Sequence, residues 1–395
     1  MNSQPLRLFI FIDSFGHELI KKHGLLFPET IHNKPLRMQF GYSATAIPSI
    51  LTGQKPSTHG QFTFFYRSTD GFSIFKFFDT IWFKAIPKFV SDRRRFRVLL
   101  SRLLKRFFKI NGYFDLYSVP FSRLKYFDYS EKKDLFDSNA FENTKNLKDL
   151  LLENNISHFI SDWRKSEDEN FTDLRNVITN ETPSFIFAYF AGLDGVQHMY
   201  TKDGKETLDK LEYYRKNISN LLNIAKDRYS DVEFAIFSDH GMTSLKQEVN
   251  IKPLLEGSGL KFGEDYLSFI DSTMLRIWYL NNNSRELLRT LIEAENIPGR
   301  FLSIEEMKKW GVYFEDGKYG DDIFLVDPGV QLNPSDMGNK ALPGMHGYDP
   351  SDKDSDAVWM SNFYPEKDPV EVKDIFDCML EKINQIKKET QKEEV

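Results

Sequence analysis

The chain has 395 residues, a formal net charge of −6, one cysteine and 36 phenylalanines. Its hydrophobic content of 41% and aromatic content of 15% exclude an intrinsically disordered protein. The single Cys378 excludes an intrachain disulfide and a cysteine-ligated metal cluster, so any metal must be held by Asp and His. The length predicts one large α/β core with insertions, or a core with a smaller cap.

The first predicted element is a buried strand at residues 6–12. This apolar run is too short for a signal peptide and has the wrong flanks. No stretch approaches the roughly 18 apolar residues of a membrane-spanning helix. We therefore expect a cytoplasmic protein, and a peripheral position at the inner membrane face is a second expectation. Asp13 follows the strand directly, where its carboxylate either ligates a metal or caps the next helix.

A turn, a helix and a glycine stop are predicted for residues 41–53, with Ser43 at or just before the first helical residue. In one interpretation the Ser43 hydroxyl caps the helix. In the other interpretation Ser43 is a nucleophile, because the free N–H groups and the dipole of a helix N-terminus favour a phosphate brought against it. Thr45 is the alternative nucleophile.

A basic and aromatic segment follows, and it predicts an amphipathic helix over residues 96–110. We interpret this helix either as one that lies on an anionic bilayer or as a cap helix packed on the core. Nucleic acid is a less favoured partner, because no nucleic-acid fold signature accompanies the segment. The ten cations of residues 84–109, opposed by Asp92 alone, are Lys84, Lys88, Arg93, Arg94, Arg95, Arg97, Arg102, Lys105, Arg106 and Lys109. The predicted apolar face comprises Phe96, Leu99, Leu100, Leu103, Leu104, Phe107 and Phe108.

Two further strands are predicted at residues 184–190 and 233–237, and helical patterns lie around 136–153 and 205–227. Short apolar runs bounded by turn residues are typical of strands that are buried on both faces of a parallel sheet. The alternation of strands and helices therefore predicts an open α/β sandwich. Ligands of such sheets bind beyond the carboxyl ends of the strands. The residues expected at that edge are Asp13, Asp194 and Asp239.

Three short motifs place Asp and His at metal-ligand spacing. Asp194 and His198 are four residues apart, and they converge if the turn after the strand is helical. Asp239 and His240 are adjacent, so both can face one metal only where the strand gives way to a turn, which the following glycine permits. His346 lies between two glycines, which suits a ligand on a loop that approaches closely.

The remaining histidines carry weaker signals. His17 shares the ligand spacing with Asp13, so His17 and His59 are reserve candidates. The others are expected to be structural or exposed, and these are His23, His32 and His158.

Together the motifs resemble the alkaline phosphatase superfamily, specifically its type I phosphodiesterase/nucleotide pyrophosphatase branch. The resemblance extends over residues 6–350 and rests on Asp13, residues 43–60, Asp194-x-x-x-His198, Asp239-His240-Gly241 and His346-Gly347-Tyr348. It implies an α/β fold, namely a three-layer α/β/α sandwich with a mostly parallel central sheet and an inserted basic, aromatic helical cap. The implied units are a core of residues 1–61 and 131–385, an insertion of residues 62–130 and a charged tail of residues 386–395.

The resemblance also implies two divalent metal ions, with Zn²⁺ expected first and Mn²⁺ next. It assigns one ion to Asp194, His198 and His346. It assigns the other ion to Asp13, Asp239 and His240, with Ser43 bound to this second ion as the nucleophile. Attack by Ser43 would give a phosphoseryl intermediate, which water or an acceptor alcohol then cleaves.

Departures from the family pattern leave the substrate open. The branch usually has an asparagine that contacts the phosphoryl oxygen, and here Gln61, Tyr66 or Arg67 is expected to substitute for it. Sulfatases of the superfamily need Pro and Arg after the nucleophile, which the segment after Ser43 lacks. We therefore expect a metal-dependent phosphodiesterase or phosphotransferase acting on a nucleotide, nucleotide-sugar or lipid-linked phosphoester. The alternatives are a phosphomonoesterase or mutase with the same metal site, and a membrane-associated binding module without activity.

Overall fold

The computed structural model describes residues 4–24, 27–69, 73–80, 83 and 86–393. Lys84, one of the ten cations noted in the sequence, and the last two residues of the charged tail lie outside the described residues. Within the described part of the chain, no helix combines the length and the apolar character that crossing a bilayer requires.

Strands and helices alternate along most of the chain. The strands are β1 (Leu6–Ile12), β2 (His32–Leu36), β3 (Phe65–Arg67), β4 (Phe127–Tyr129), β5 (His158–Ile160), β6 (Phe185–Phe190), β7 (Val232–Phe237), β8 (Thr243–Ser244), β9 (Gln247–Val249), β10 (Tyr266–Ile270), β11 (Met274–Tyr279), β12 (Gly299–Phe301), β13 (Asp322–Val326), β14 (Val330–Leu332), β15 (Gly344–Met345) and β16 (Ala357–Ser361). The α-helices are α1 (His17–His23), α2 (Ser43–Thr52), α3 (Pro56–His59), α4 (Lys88–Ser91), α5 (Arg94–Phe107), α6 (Phe121–Leu124), α7 (Leu147–Glu153), α8 (Glu167–Asn180), α9 (Gly192–Tyr200), α10 (Lys205–Arg228), α11 (Lys252–Gly257), α12 (Asn282–Ala294), α13 (Ile304–Trp310) and α14 (Ile375–Glu393). Short 3-10 helices span Lys76–Asp79, Lys353–Ser355 and Val372–Asp374.

The central sheet has six strands in the order β2-β16-β7-β1-β6-β5. β1 runs parallel to β6 and β7, and β5 runs parallel to β6, whereas β16 is antiparallel to both of its neighbours. Every residue of β1 and β6 is buried, which explains why β6 is a continuous apolar run and why β1 is apolar apart from Arg7. The buried Arg7 guanidinium forms ion pairs with Asp231 and Glu233. The predicted mostly parallel sheet is confirmed.

Helices cover both faces of this sheet because alternate strand residues point to opposite sides. Phe9 and Phe11 of β1 pack with α2, α7 and α14, whereas Leu8 and Ile10 pack with α1, α8 and α10. The result is the three-layer α/β/α sandwich that the resemblance implied.

One predicted helix is shorter than expected. The pattern over residues 136–153 becomes helical only at Leu147, after Asn146 has accepted a hydrogen bond from the Asp149 N–H in a capping box. Phe136 and Phe141 are buried in the core without belonging to a helix. These two side chains are apolar because they pack in the core, and their spacing in the sequence matches the period of a helix.

A second, antiparallel sheet with the order β10-β11-β13-β12 lies outside the sandwich core. The aromatic insertion packs on this sheet, since Phe65 and Phe127 share a hydrophobic cluster with Phe269 and Trp278. The division into core, insertion and tail stays a prediction. Among the described residues, the buried apolar side chains of the insertion share their clusters with residues of this second sheet.

Candidate metal centre and nucleophile

Asp13 emerges at the carboxyl end of β1, where the backbone turns sharply at Ser14 with φ of +64°. Its carboxylate is buried, and its Oδ2 accepts a hydrogen bond from the Tyr189 hydroxyl at 2.7 Å. The Ser14 N–H donates to Oδ1 of Asp239 at 3.2 Å. The turns after β1 and β7 are therefore joined at the same sheet edge.

Asp239 and His240 follow β7, where the strand has ended and adjacent side chains can converge. Asp239 Oδ1 also accepts the His240 N–H at 3.0 Å, while His240 Nδ1–H donates to the Gly241 carbonyl at 2.8 Å. His240 Nε2 is thereby left facing Asp13 Oδ1 at 3.5 Å. A side chain at Gly241 would lie 2.1 Å from the Asp354 carbonyl oxygen, so this turn requires glycine.

Ser43 is the first residue of α2, and it faces the same group. Its Oγ lies 3.1 Å from His240 Nε2 and 3.5 Å from Asp13 Oδ1. Thr45 is fully buried, and its hydroxyl donates to the Phe62 carbonyl instead. The geometry thus places Ser43, and not Thr45, among the carboxylates and imidazoles.

A second group forms beside the first. His198 Nε2 lies 3.3 Å from Asp194 Oδ2, and His346 Nε2 lies 3.6 Å from Asp194 Oδ1. His198 Nδ1–H donates to the Gly344 carbonyl at 2.8 Å, which orients Nε2 as a metal-ligating histidine requires. The rings of His240 and His346 stack at 3.7 Å, so the two groups are contiguous.

The chemistry and the spacing of the donor atoms of these residues suit two metal ions. One set of donors within 4.8 Å of one another comes from Asp13, Asp239 and His240, and a second set comes from Asp194, His240 and His346. His240 belongs to both sets, whereas the resemblance placed His198 with Asp194 and His346. Among the described residues, Asp194 Oδ1, Asp239 Oδ2 and His346 Nδ1 are buried without a hydrogen-bond partner. Buried carboxylate oxygens of this kind are suited to cations.

The shifted pKa values of the buried groups also fit a cation site. Burial raises the pKa of Asp13 well above its usual value, and the Asp239 and Asp194 carboxylates raise it further. Burial alone would lower the pKa of His240, but the Asp239 carboxylate, assisted by Asp13 and Asp194, raises it to about 10. The Asp13, Asp194 and Asp239 carboxylates thus crowd together closely enough to raise the pKa of their neighbours, and divalent cations bound there would offset this negative charge.

A cavity of about 700 Å³ opens over these groups. Ser43, Asp194 and His346 belong to the part of its wall that is called its polar end, and much of the remaining wall is aromatic. The aromatic rings of the wall belong to Tyr42, Phe64, Tyr113, Tyr117, Phe136, Trp163 and Tyr189. Glu131 also lines the cavity, and burial raises its pKa to about 8. The cavity is large enough for a phosphoester with a bulky leaving group.

Sequence reasoning missed several of these residues. Tyr189 carries the one hydroxyl in the apolar run Phe185–Phe190, and that hydroxyl at a strand end was the available signal. Thr63 also lines the cavity. Gln61, Tyr66 and Arg67, expected to contact the phosphoryl oxygen, do not line that cavity, and the Tyr66 hydroxyl donates to Asp128 at 3.0 Å.

The reserve histidines lie apart from both donor sets. His59 Nδ1 accepts the Gln61 N–H at 3.3 Å, so Nε2 carries the proton of the neutral ring and donates to Ser49 Oγ at 3.0 Å. Burial lowers the pKa of His59 to about 3, which fits a neutral structural role. His17 Nδ1 lies 3.7 Å from Glu18 on the first turn of α1.

Comparison with known proteins agrees with the family resemblance seen in the sequence. The family model described as type I phosphodiesterase/nucleotide pyrophosphatase matches residues 8–349. Mouse ectonucleotide pyrophosphatase/phosphodiesterase 5 is similar in structure, with a TM-score of 0.67, 14% identity, and coverage of 96% of this chain and 95% of that chain. Its inactive variant in complex with AMP matches at 0.67 with 13% identity and the same coverage. The human protein matches at 0.66 with 12% identity, again over 96% and 95%. Comparison with curated proteins gave no match.

Proposed function

Because the chain belongs to the type I phosphodiesterase/nucleotide pyrophosphatase family, we propose that it cleaves a phosphodiester or pyrophosphate bond with Ser43 as the nucleophile. The observation that carries this proposal is the position of Ser43 Oγ, 3.1 Å from His240 Nε2 and 3.5 Å from Asp13 Oδ1 at the polar end of the cavity. A hydroxyl there lies among the side chains that are best suited to hold divalent ions.

The proposal assigns two ions to the site, Zn²⁺ first and Mn²⁺ next, because Asp and neutral His suit both metals. Asp194, His198 and His346 would hold one ion. Asp13, Asp239 and His240 would hold the other ion beside Ser43. When bound, such ions polarise phosphoryl oxygens and lower the pKa of a neighbouring hydroxyl.

The residues of the chain then have distinct tasks. Ser43 loses its hydroxyl proton and Oγ forms a bond to phosphorus as the bond from phosphorus to the leaving oxygen breaks. The leaving group departs with that electron pair and takes up a proton. Water, or an acceptor alcohol, next attacks phosphorus, losing a proton as it breaks the bond to Oγ, and the serine takes up a proton. The Ser43 and Ala44 N–H groups precede the first hydrogen bond of α2, which the Thr45 N–H donates to the Tyr42 carbonyl, so these two groups can donate to the phosphoryl oxygens.

The leaving group would occupy the aromatic part of the cavity. The rings of Phe64 and Tyr117 are stacked at 5.7 Å, and the rings of Tyr113 and Trp163 lie 6.2 Å apart. Such faces stack on a nucleobase and also accept an apolar chain. A nucleotide is the first class to test, since a structural neighbour is described as an AMP complex.

The test measures metal content by plasma mass spectrometry and the hydrolysis of bis-p-nitrophenyl phosphate and p-nitrophenyl phosphate. Wild type is expected to hold two metals per chain and to favour the diester. Ser43→Ala should keep both metals and lose turnover by at least about a thousandfold. Ser57→Ala, an exposed serine on α3, is the matched control and should behave as wild type.

Other outcomes contradict the proposal in separable ways. Preference for the monoester would indicate a phosphomonoesterase or mutase with the same site. Absence of bound metal and of turnover after Zn²⁺ or Mn²⁺ is added would indicate a binding module. Full activity of Ser43→Ala would exclude the phosphoseryl step while leaving the metal site intact.

A further inference from the structure

Helix α5 is anchored in the insertion by a side that the sequence pattern had assigned partly to solvent. Arg97, Ser101 and Leu104 are its buried residues. The Arg97 guanidinium donates to the carbonyls of Tyr117 and Val119 at 3.0 and 2.8 Å. These bonds satisfy the buried cation and fix the rotation of the helix about its axis.

This rotation leaves apolar side chains of α5 in solvent. Leu99, Leu103 and Phe107 are 56%, 57% and 78% exposed. They are spaced four residues apart, so they form one stripe along the helix. A single exposed leucine is ordinary on a protein surface, but three large apolar side chains aligned on one helix are unusual for a face that meets only water.

Three exposed arginines run along one edge of the stripe, namely Arg95, Arg102 and Arg106. None of them forms an ion pair with a residue in the described ranges of the chain. The sequence has no acidic residue between Asp92 and Asp115, so no neighbouring carboxylate on this segment neutralises them. The stripe and these arginines together are called the outer face of α5.

We propose that the outer face of α5 is a docking surface for an anionic lipid bilayer. A helix that lies in the headgroup region buries an apolar stripe and places its flanking cations against lipid phosphates. In this arrangement the apolar stripe and the arginines both contact the bilayer. The positive charge of the arginines complements the anionic lipids.

Two other binding partners would match the charge or the apolar stripe of the outer face less well. A symmetric contact with a second copy of the chain would bring the same arginines of both copies together, and like charges in such a contact repel. Nucleic acid would engage the arginines through its phosphates but would leave the apolar stripe in water.

The test is co-sedimentation of the full, metal-loaded chain with vesicles of phosphatidylcholine alone and with vesicles of equal parts phosphatidylcholine and phosphatidylglycerol. Wild type is expected to bind the anionic vesicles and to bind the neutral ones much more weakly. Binding should weaken as salt is raised, because surface charge is screened. The measurement needs no turnover, so its result does not depend on the proposed catalytic activity.

Two variants separate the apolar and the charged contributions. Leu103→Asp with Phe107→Asp should weaken binding to anionic vesicles by at least about tenfold, since the apolar anchors can no longer enter the headgroup region. Arg95, Arg102 and Arg106 changed together to Ala should lower binding by about fivefold for each cation removed and should abolish the preference for phosphatidylglycerol.

Two control variants make the same kinds of substitution on other helices. Leu152→Asp alters an exposed leucine of α7, and the combined change of Lys205, Lys216 and Lys226 to Ala removes three exposed cations of α10. Both controls should bind vesicles as wild type does. All four proteins should keep the wild-type melting temperature and the hydrolysis of a small soluble ester.

The proposal is overturned if wild type binds neither vesicle, or if the Asp variant binds the anionic vesicles as strongly as wild type does. Sedimentation as a dimer that the Asp variant alone abolishes, without vesicle binding, would show that a second copy covers the outer face. Capture by duplex DNA that survives the Asp variant but not the Ala variant, without vesicle binding, would assign the arginines to nucleic acid.

Discussion

At the scale of single residues, Tyr189 shows how a buried hydroxyl can orient a candidate metal ligand. Burial raises the pKa of Tyr189 well above its usual value of 10, so its O–H stays a donor to Asp13 Oδ2. That bond occupies one carboxylate oxygen and leaves Oδ1 towards Ser43 and His240. Partners of this kind orient ligands, and their loss commonly costs roughly ten- to a hundredfold in metal affinity.

We therefore predict that Tyr189→Phe lowers metal affinity by roughly ten- to a hundredfold without unfolding the protein. The measurement is competition with a chelator, read as metal retained per chain. Tyr213→Phe is the control, because the Tyr213 hydroxyl also donates to a carboxylate, that of Asp168, but at an exposed site away from the metal groups. Equal retention in the two variants would show that Tyr189 does not position Asp13.

At the scale of elements, the loop after β15 brings His346 to the site by passing close to the start of α2. Gly347 has φ of +91°, and a side chain there would lie 2.7 Å from the Tyr42 ring. Tyr42 is the N-cap residue of α2 and immediately precedes Ser43. This one close approach therefore positions the candidate ligand His346 and the proposed nucleophile Ser43 together.

Gly347→Ala is expected to reduce bound metal and hydrolysis together, because the loop must move away from Tyr42. Gly259→Ala is a matched control, since Gly259 also has a positive φ of +79° but nothing lies within 4 Å of an added Cβ. Both variants should lose about 1 kcal/mol of unfolding free energy from backbone strain. Metal content by plasma mass spectrometry distinguishes them, and an undiminished content in Gly347→Ala would show that the loop tolerates the methyl group.

At the scale of the whole molecule, the packing of the insertion against the sandwich creates the cavity and buries Glu131 in its wall. Tyr113 and Tyr117 come from the insertion, whereas Trp163 follows β5 of the core. Burial in this wall raises the pKa of Glu131 to about 8, and the nearby Asp134 adds to the effect. The folded protein therefore keeps a proton on Glu131 where the unfolded chain, with a pKa near 4.5, has lost it.

It follows that Glu131 lowers the free energy of unfolding as pH rises from about 4.5 to about 8, because the folded state binds more protons in that window. The slope is roughly 1.4 kcal/mol per pH unit in the middle of the window. Glu131→Gln stays neutral and should remove this decline, so its stability relative to wild type should increase with pH. Denaturant unfolding at several pH values measures the difference, and the exposed Glu295→Gln should show none. Parallel pH profiles for wild type and Glu131→Gln would contradict the buried, protonated state.

The layers and much of the site were accessible from the sequence. β6, most of β1 and the second half of β7 are apolar because both of their faces are buried, and Asp13, Asp194 and Asp239 follow these strands in the chain. Parallel strands present their carboxyl ends at one edge, so the approach of these carboxylates follows from local patterns. The prediction that Gln61, Tyr66 or Arg67 contacts the phosphoryl oxygen came from counting residues after Ser43. Such a count does not show where the chain runs once it has left the sandwich.

Residue types and their order thus determined the sandwich, its ligand-bearing edge and the candidate nucleophile, because a buried strand and the turn after it are specified within about ten residues. Tertiary structure alone decided that Tyr189 meets Asp13, that His240 lies between the two donor sets, and which side of α5 faces water. Each of these depends on segments far apart in the chain. The apolar period of α5 fits a packed face and a free stripe equally well, and only the carbonyls that hold Arg97 select between them.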